Sequence, residues 1–277
     1  MSTAPAPESP ELLARIYRQF RDYFDRAEKK RRWSLKEDVP WDHCNRSLPP
    51  AIADVVESFC AVELYLPDYL SKLIPQVRGN HGRAWMLANW GYEECKHSMA
   101  LGDWLLHSGT RSDEQMADLE GLVFSHEWDL PYDNARGMLC YTTLQELATW
   151  LHYVNLRKIV EAEGGCPALE RVLQLVAIDE RAHYDFFRRL VSLYLEYDRP
   201  GTLEQLRRVI NTFKMPAVHM LADSRKRMEE VKELRIFDED IFVSQVYEPV
   251  LTALKVQKSE LRRRKSPREI VAVGKAR

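Results

Sequence analysis

The sequence predicts an all-α protein whose core is a long four-helix bundle with additional flanking helices. Apolar residues recur at spacings of three and four through most of the chain, which is the period of one helix face. No stretch alternates apolar and polar residues as a strand would. Four of the periodic segments exceed the usual length of a globular helix, and this favours a bundle over a globin-like packing.

The periodic segments are separated by stretches that contain Gly, Asn and Pro, namely "VRGNHGR", "EGGCP" and "YDRPGT". No Gly/Ser-rich or Pro-rich linker divides the middle of the chain, so we expect a single domain over residues 1–277. Its ends, at about 1–9 and 259–277, are rich in proline or charge and are expected to be mobile. The predicted helices are Pro10–Lys29, Pro50–Gln76, Gly82–His107, Ala135–Glu163, Pro167–Tyr197, Thr202–Lys214, Pro216–Leu234 and Glu239–Lys258.

Charge and cysteine content limit the function. The 40 basic and 42 acidic residues leave a net charge of -2, which argues against nucleic acid as the main partner. The five cysteines form no CxxC pair, and we find neither the apolar core of a secretory signal nor an apolar run of about 18 to 20 residues. We therefore expect a reduced, cytoplasmic protein that is not an integral membrane protein.

Two predicted helices each carry a carboxylate and an imidazole inside an apolar stripe. In "NWGYEECKHSMALGDWLL" Glu94 and His97 stand three residues apart, and in "VLQLVAIDERAHYDFFRRL" Glu180 and His183 repeat that spacing. Residues at i and i+3 of a helix point the same way, so each pair can bind one ion. About one Glu-x-x-His match is expected by chance in this composition, so the two pairs alone are weak evidence.

Two further long helices each carry a single glutamate on an apolar face. Glu63 lies in "VESFCAVELYLPDYL" and Glu146 lies in "LCYTTLQELATWLHYV". Each could instead be a solvated glutamate, since Pro67 can kink the first helix and Gln145 adjoins Glu146. The order Glu, Glu-x-x-His, Glu, Glu-x-x-His on four successive long helices is much more specific than either pair.

Four carboxylates directed at one core need a cationic partner, because each bare charge in a low-dielectric interior would cost several kcal/mol. One glutamate from each of two helices, with Glu-x-x-His from each of two others, is the ligand arrangement of ferritin-like bundles that hold two iron or two manganese ions. Mixed oxygen and nitrogen ligation suits Fe or Mn better than Zn or Ca. The sequence therefore predicts a ferritin-like bundle with a two-metal site.

Residues beside the motifs receive simpler assignments. Glu93 and Asp179 each precede a candidate ligand and are most simply solvated neighbours. Asp179 could also accept the second N–H of a ligating imidazole on the facing helix. Cys95 and Lys96 point away from the shared face, and we assign them no chemistry.

Five stretches of the chain match a known family: "VELYLPDY", "YEECKH", "LQELATW", "DERAH" and "KMPAVHM". Through them the chain resembles the soluble acyl-carrier-protein desaturases, ferritin-like di-iron enzymes of plant plastids and mycobacteria, from about Trp33 to about Val250. The last stretch supplies no metal ligand and so supports the resemblance independently. The chain departs from the family in its shorter length, in the lack of Asn-Arg before the first motif histidine, and in Tyr153, where the plant enzymes carry histidine.

The resemblance implies two iron ions (Fe2+) per chain, with Glu94 and Glu180 as bridges between them. It implies a catalytic role for Thr149, near the oxygen-binding side of the metals, and for Asp179, beside the second pair. It also implies an acyl carrier protein that bears the substrate, a ferredoxin-type electron donor and a homodimer. The six implied metal ligands are Glu63, Glu94, His97, Glu146, Glu180 and His183.

The function implied by the resemblance is O2-dependent introduction of a double bond into a carrier-bound acyl chain, as part of fatty acid biosynthesis. One alternative is a di-iron hydroxylase or oxygenase acting on a carrier-bound or free acyl substrate. A less favoured alternative is a non-catalytic ferritin-like iron-binding protein. A ribonucleotide reductase small subunit fits poorly, because Leu101 stands where its radical tyrosine usually lies.

Two basic stretches, "RAEKKRRW" at 26–33 and "DSRKRMEEVKELR" at 223–235, are candidate docking surfaces for an acidic carrier, although each could be a solvated helix face. Bulky residues next to the ligands are candidate walls of an acyl tunnel, although ordinary core packing explains each of them at least as well. These residues are Phe59, Trp90, Trp150, Tyr153, Tyr184 and Phe187.

Overall fold

The computed structural model describes residues 8–262, and within that range the chain is helical and contains no strand. The ends that were expected to be mobile lie mostly outside the described residues, at 1–7 and 263–277. Ser9 accepts a hydrogen bond from Leu12 N and caps the first helix. Between residues 8 and 262, no helix is both long and apolar enough to cross a membrane.

The helices follow the predicted order, with several corrections to their bounds. Short 3-10 turns at Trp41–His43, Val218–Met220 and Lys258–Leu261 and a π-helical turn at Phe242–Tyr247 interrupt or follow them. The α-helices are α1 (Pro10–Lys30), α2 (Pro50–Glu63), α3 (Leu66–Val77), α4 (His81–His107), α5 (Asp113–Phe124), α6 (Ala135–Ala162), α7 (Pro167–Tyr197), α8 (Arg199–Thr212), α9 (Ser224–Glu233), α10 (Glu239–Ile241) and α11 (Glu248–Leu254).

The helix predicted over Pro50–Gln76 is two helices, because the chain leaves helical geometry between Glu63 and Leu66. Pro67 has no N–H to donate and restricts the residue before it, so a new helix begins there. Helix α5 was not predicted, although Ser112 and Gln115 form a reciprocal capping box at its start. The prediction of four long core helices is therefore wrong for α2, which has 14 residues, but the order of the core helices along the chain is as predicted.

The core lies between α2, α4, α6 and α7, with α6 packed along α7 and α2 packed along α4. Large side chains without solvent exposure fill it, including Trp104, Leu144 and Leu147. Helix α1 crosses the outside of α4 and α7. It approaches α4 so closely that a Cβ at Gly82 would lie 2.9 Å from Cα of Tyr17.

A segment at residues 213–242, here called the cover segment, lies over α2 and α6. Its backbone is attached to α6 through Tyr141 OH, which donates to Lys214 O at 3.0 Å, and through Asn155 Nδ2, which donates to Ile236 O at 3.0 Å. The helix predicted from Pro216 begins only at Ser224. Left-handed backbone at Ala217 and Asp223 (φ 53° and 54°) breaks the chain before α9, since a residue in that conformation cannot continue a right-handed helix.

Candidate metal centre and the adjoining cavity

The four core helices bring all six predicted ligands together in the middle of the bundle. Glu63 ends α2, Glu146 lies midway along α6, and the two Glu-x-x-His pairs lie on α4 and α7. Each of the six side chains is buried. They form two sets in which ligand atoms lie within 4.8 Å of one another: Glu63, Glu94, His97 and Glu180 in one, and Glu94, Glu146, Glu180 and His183 in the other.

Both histidines direct Nδ1 at the carboxylates. His97 Nδ1 lies 2.9 Å from Glu94 Oε2 and 3.3 Å from Glu180 Oε1. His183 Nδ1 lies 3.1 Å from Glu94 Oε1 and 3.4 Å from Glu146 Oε2. Glu94 and Glu180 belong to both sets, which is the position that a carboxylate bridging two ions must occupy.

The cluster has the electrostatic character of a site for cations. Burial raises the pKa of Glu63 well above its ordinary value, and the nearby carboxylates Glu94 and Glu180 raise it further. Burial likewise raises the pKa of Glu146. Burial alone would lower the pKa of His97, but the surrounding carboxylates, Glu94 first, raise it well above the ordinary histidine value. Two divalent ions would offset the charge of four carboxylates.

Several buried atoms of the cluster have no hydrogen-bond partner among the described residues. They are Glu94 Oε1, Glu146 Oε2, Glu180 Oε2 and His183 Nδ1. Buried polar atoms of a native protein are almost always paired, so four unpaired atoms at one point indicate ligands for something bound there. Carboxylate oxygen and imidazole nitrogen are suitable donors for iron and manganese, and the residues present therefore fit a two-metal site.

Each imidazole has its own carboxylate on the side away from the cluster. His97 Nε2 lies 3.4 Å from Asp179 Oδ2, and His183 Nε2 lies 2.9 Å from Glu93 Oε2. The simplest assignment of Glu93 and Asp179 as solvated residues is therefore wrong, since they are 2% and 1% exposed. Such partners fix the ring orientation of a ligating histidine.

The carboxyl end of α1 covers both outer carboxylates, which is why they are buried. The Arg31 guanidinium pairs with Asp179 and, at 3.2 Å, with Glu93. Trp33 Nε1 donates to Asp179 Oδ2 at 2.8 Å. Burial alone would raise the pKa of Glu93, but hydrogen bonding from His183 and the charge of Arg31 lower it to about 2. Sequence reasoning missed Arg31 and Trp33, although the matched pairs "EE" and "DE" at the start of each motif signalled two equivalent outer carboxylates.

Lys96 was assigned no chemistry, and the structure shows a buried residue with a structural role. Its ammonium lies 3.9 Å from the centre of the Trp33 ring and donates to Trp33 O. Arg32 also points inward, to Glu93 at 2.6 Å. The inner part of "RAEKKRRW" is therefore unavailable as a docking surface.

Glu63 and Glu146 each belong to a single ligand set, and they accept hydrogen bonds from different donors. Tyr153 OH donates to Glu63 Oε1 at 2.8 Å, while Trp90 Nε1 donates to Glu146 Oε1 at 3.1 Å. Tyr153 is 1% exposed, so its phenol lies buried against one edge of the cluster.

A cavity of about 920 Å³ adjoins the cluster between α6 and the cover segment. It follows α6 from Tyr153 to Met138, about 22 Å at 1.5 Å per residue. Of the six clustered residues, Glu63 lines it. Thr149 also lines it, one helical turn after Glu146, and donates its hydroxyl hydrogen to Gln145 O at 3.0 Å. Asp179 does not line the cavity and lies on the other side of His97.

Three of the six predicted wall residues line this cavity: Phe59, Trp90 and Tyr153. Trp150 and Tyr184 do not line it, and the rings of both lie instead against the Arg181 guanidinium, at 5.0 and 5.1 Å. Phe187 lines a separate cavity of about 30 Å³ beyond Met138. Sequence periodicity placed these residues near the cluster but did not show on which side.

Arg227, in the second basic stretch, is also turned inward. Its guanidinium donates to Ser58 Oγ at 2.7 Å and pairs with Glu57 at 2.6 Å, so it attaches α9 to α2. The exposed basic residues of this stretch are Arg225, Lys226, Lys232 and Arg235.

The fold and the donor set together define the class of protein. It is a ferritin-like helical bundle with a buried carboxylate and histidine cluster that fits two metal ions. The chain belongs to the fatty acid desaturase family, whose sequence model matches residues 28–265.

Plant relatives in that family are similar over part of their length. Acyl-(acyl-carrier-protein) desaturase 6, chloroplastic, of Oryza sativa subsp. japonica is 30% identical over 173 residues, which are 58% of this chain and 41% of the relative. Stearoyl-(acyl-carrier-protein) 9-desaturase 6, chloroplastic, of Arabidopsis thaliana is 28% identical over 193 residues, which are 66% of this chain and 48% of the relative. The chain thus spans less than half the length of these curated relatives.

Solved structures of low sequence identity share the fold. DesA2 of Mycobacterium tuberculosis, described as an acyl-ACP desaturase, superposes with a TM-score of 0.68 at 19% identity, covering 91% of this chain and 98% of that one. An R2-like ligand-binding oxidase with a Mn/Fe cofactor superposes with a TM-score of 0.58 at 15% identity, covering 91% of this chain and 94% of that one. At these identities the likeness establishes the bundle and its helix order.

Proposed function

We propose that this protein is an O2-dependent di-iron acyl-ACP desaturase. The observation that carries the proposal is the position of the six-residue donor cluster beside an apolar cavity long enough for an acyl chain. The names of the plant relatives support the reaction and the carrier-bound substrate. The six clustered residues would be the ligands, with Glu94 and Glu180 shared between two iron ions.

Bound iron would supply the oxidising power that is needed to remove hydrogen from an unactivated methylene. The protein's own residues position the substrate and exclude water. The cavity wall holds the chain along α6, past Glu63 and Thr149. The Thr149 oxygen remains available as an acceptor on the wall, and we assign Thr149 to proton handling there. Asp179 holds the His97 ring through Nε2 and is a positioning residue.

The carrier would dock on the exposed basic residues of the cover segment, next to the cavity. Arg225, Lys232 and Arg235 are exposed, and Lys232 also lines the cavity. Acyl carrier proteins are acidic, so charge complementarity favours this surface. Arg227 is excluded from the proposal because it is occupied by Glu57 and Ser58.

Electrons would come from a ferredoxin-type donor, and the protein would act in the cytoplasm as a homodimer. An apolar stripe on α4 supports the dimer. It consists of Trp85, Tyr92, Met99 and Leu106, which lie seven residues apart and are 36% to 53% exposed. A heptad of exposed apolar residues is the pattern of a helix that packs on another helix.

The test is the intact mass of a saturated acyl-ACP after incubation with iron-loaded protein, O2 and a ferredoxin reduction system. A loss of about 2 Da establishes desaturation. A gain of about 16 Da would instead establish hydroxylation at the same site, and iron loading without either change would favour an iron-binding protein.

A further inference from the structure

The cavity wall carries a largely buried histidine, His152, that the proposed metal chemistry does not use. His152 lies on α6 six residues after Glu146, about 9 Å along the helix, and is 7% exposed. Its Nδ1 lies 2.6 Å from Ala148 O, and a carbonyl can only accept, so Nδ1 carries the hydrogen. Its Nε2 is then an acceptor, and it has no hydrogen-bond partner within residues 8–262.

The His152 ring is held in one orientation. Phe237 of the cover segment stacks on it at 4.3 Å and 23°, and Phe59 of α2 meets it edge-on at 5.5 Å and 80°. Burial lowers the pKa of His152 to about 4, so the imidazole is neutral near pH 7. A neutral ring fixed by one hydrogen bond and two aromatic contacts is a preorganised acceptor.

Three other polar side chains of α6 on the same wall already donate to backbone carbonyls. Thr142 donates to Met138 O at 2.9 Å, Thr149 donates to Gln145 O, and Tyr141 donates to Lys214 O. A hydrocarbon chain in the cavity would leave these three hydrogen bonds intact. The same chain would leave His152 Nε2 desolvated without a donor, which is unfavourable.

We propose that this part of the cavity is a polar subsite in which His152 Nε2 accepts a hydrogen bond from the bound substrate. The ligand class is an acyl thioester that bears an O–H or N–H group about 9 Å along α6 from Glu146. The donor is either a hydroxyl on the acyl chain or an amide of the thioester arm. The inference deepens the proposed function and rests on the cavity being the acyl site.

The experiment compares three thioesters of one chain length on the metal-loaded protein, kept anaerobic and without reductant so that nothing turns over. The first probe is a saturated acyl S-ethyl thioester, which has no donor. The second is its 3-hydroxy counterpart, and the third is the saturated acyl group on pantetheine. Equilibrium binding is measured for the native protein and for His152→Phe, His152→Gln and, as a control outside the cavity, His43→Phe.

We expect the native protein to bind one of the two donor-bearing probes about tenfold more tightly than the S-ethyl probe, the effect of one good hydrogen bond. Tighter binding of the 3-hydroxy probe than of the S-ethyl probe would place the hydrogen-bond donor on the acyl chain. Tighter binding of the pantetheine probe would place the donor on the thioester arm. His152→Phe should abolish the gain, while His152→Gln, which keeps an acceptor, should restore part of it. His43→Phe should leave the gain unchanged, because His43 is exposed and does not line the cavity.

Equal affinity for all three probes in the native protein would overturn the subsite, since water alone would then satisfy Nε2. A gain that survives His152→Phe would overturn it as well. The proposed function fails separately, through the absence of a mass change on acyl-ACP, because these binding measurements involve no turnover.

Discussion

Helix α6 contributes to two buried regions that differ in how their polar groups are satisfied. In the metal cluster, Glu146 faces other carboxylates, and one of its oxygens has no hydrogen-bond partner among the described residues. On the cavity wall, Thr142 and Thr149 of the same helix donate to carbonyls one turn back. These two hydroxyl groups therefore need no ligand, whereas the cluster needs ions to balance its charge.

The largest effect is expected when a carboxylate that belongs to both ligand sets is removed. Glu180→Ala or Glu94→Ala should abolish binding of both metal ions, because each residue belongs to both ligand sets. Metal content per chain after reconstitution checks this. Glu63→Ala is the matched control and should lose one ion and retain the other, since Glu63 belongs to one set. Full metal content in the Glu94 or Glu180 variant would show that the ligand assignment is wrong.

A smaller effect is expected when the outer carboxylates are neutralised. Glu93→Gln and Asp179→Asn should each lower metal affinity by about 10-fold to 100-fold, because they weaken the acceptor that orients one imidazole. Competition with a chelator measures the affinity. Glu28→Gln, which changes an exposed partner of Arg32, serves as the control and should leave the affinity unchanged. Equal affinities in all variants would mean that the cluster orients its histidines unaided.

His152, on the cavity wall, should make the free energy of unfolding depend on pH. The folded-state pKa of His152 is about 4, below the unfolded value of about 6.5, so the unfolded state binds more protons between these values. Stability due to this group is fully present above about pH 6.5 and is lost as pH falls toward 4. Between pH 7 and pH 5 the loss should be about 2 kcal/mol.

Urea unfolding of the native protein and His152→Phe at both pH values checks that expectation. The variant should lose about 2 kcal/mol less than the native protein, because the other titrating groups are common to both. Identical pH dependence would mean that the His152 ring is solvated and protonates freely.

The smallest effect concerns the outer surface of the cover segment. Arg225→Glu with Lys232→Glu should raise KM for acyl-ACP several-fold while leaving metal content unchanged, because both residues are exposed and neither belongs to the cluster. Arg227 is left in place, since its removal would leave Glu57 without one of its partners and detach α9. Unchanged kinetics would exclude this face as the carrier surface.

The sequence predicted the donor set because the information is local. Three-residue spacing places Glu94 with His97 and Glu180 with His183 on one helix face, whatever the rest of the chain does. The apolar positions around Glu63 favoured an inward direction, although Pro67 left a solvated glutamate as an alternative. Helix starts were predicted correctly at Pro10 and Pro167 but not at Pro216, and the capping box at Ser112 was missed.

Contacts between distant segments were not predictable in this way. Glu93 is covered by Arg31 and Arg32, which directly follow α1, and nothing in its own helix signals them. The cover segment depends on left-handed backbone at Ala217 and Asp223, which no periodicity shows. The same segment brings Phe237 onto the His152 ring.

The pairing of Arg31 with Asp179 also bears on the order in which the molecule is assembled. The two residues are 148 positions apart, so α1 leaves the ribosome long before its partners on α7 exist. Closing a contact of such sequence separation is a late and slow event in folding. Until that contact closes, Asp179 and Glu93 lack the guanidinium group that covers them, so the two outer carboxylates stay open to water.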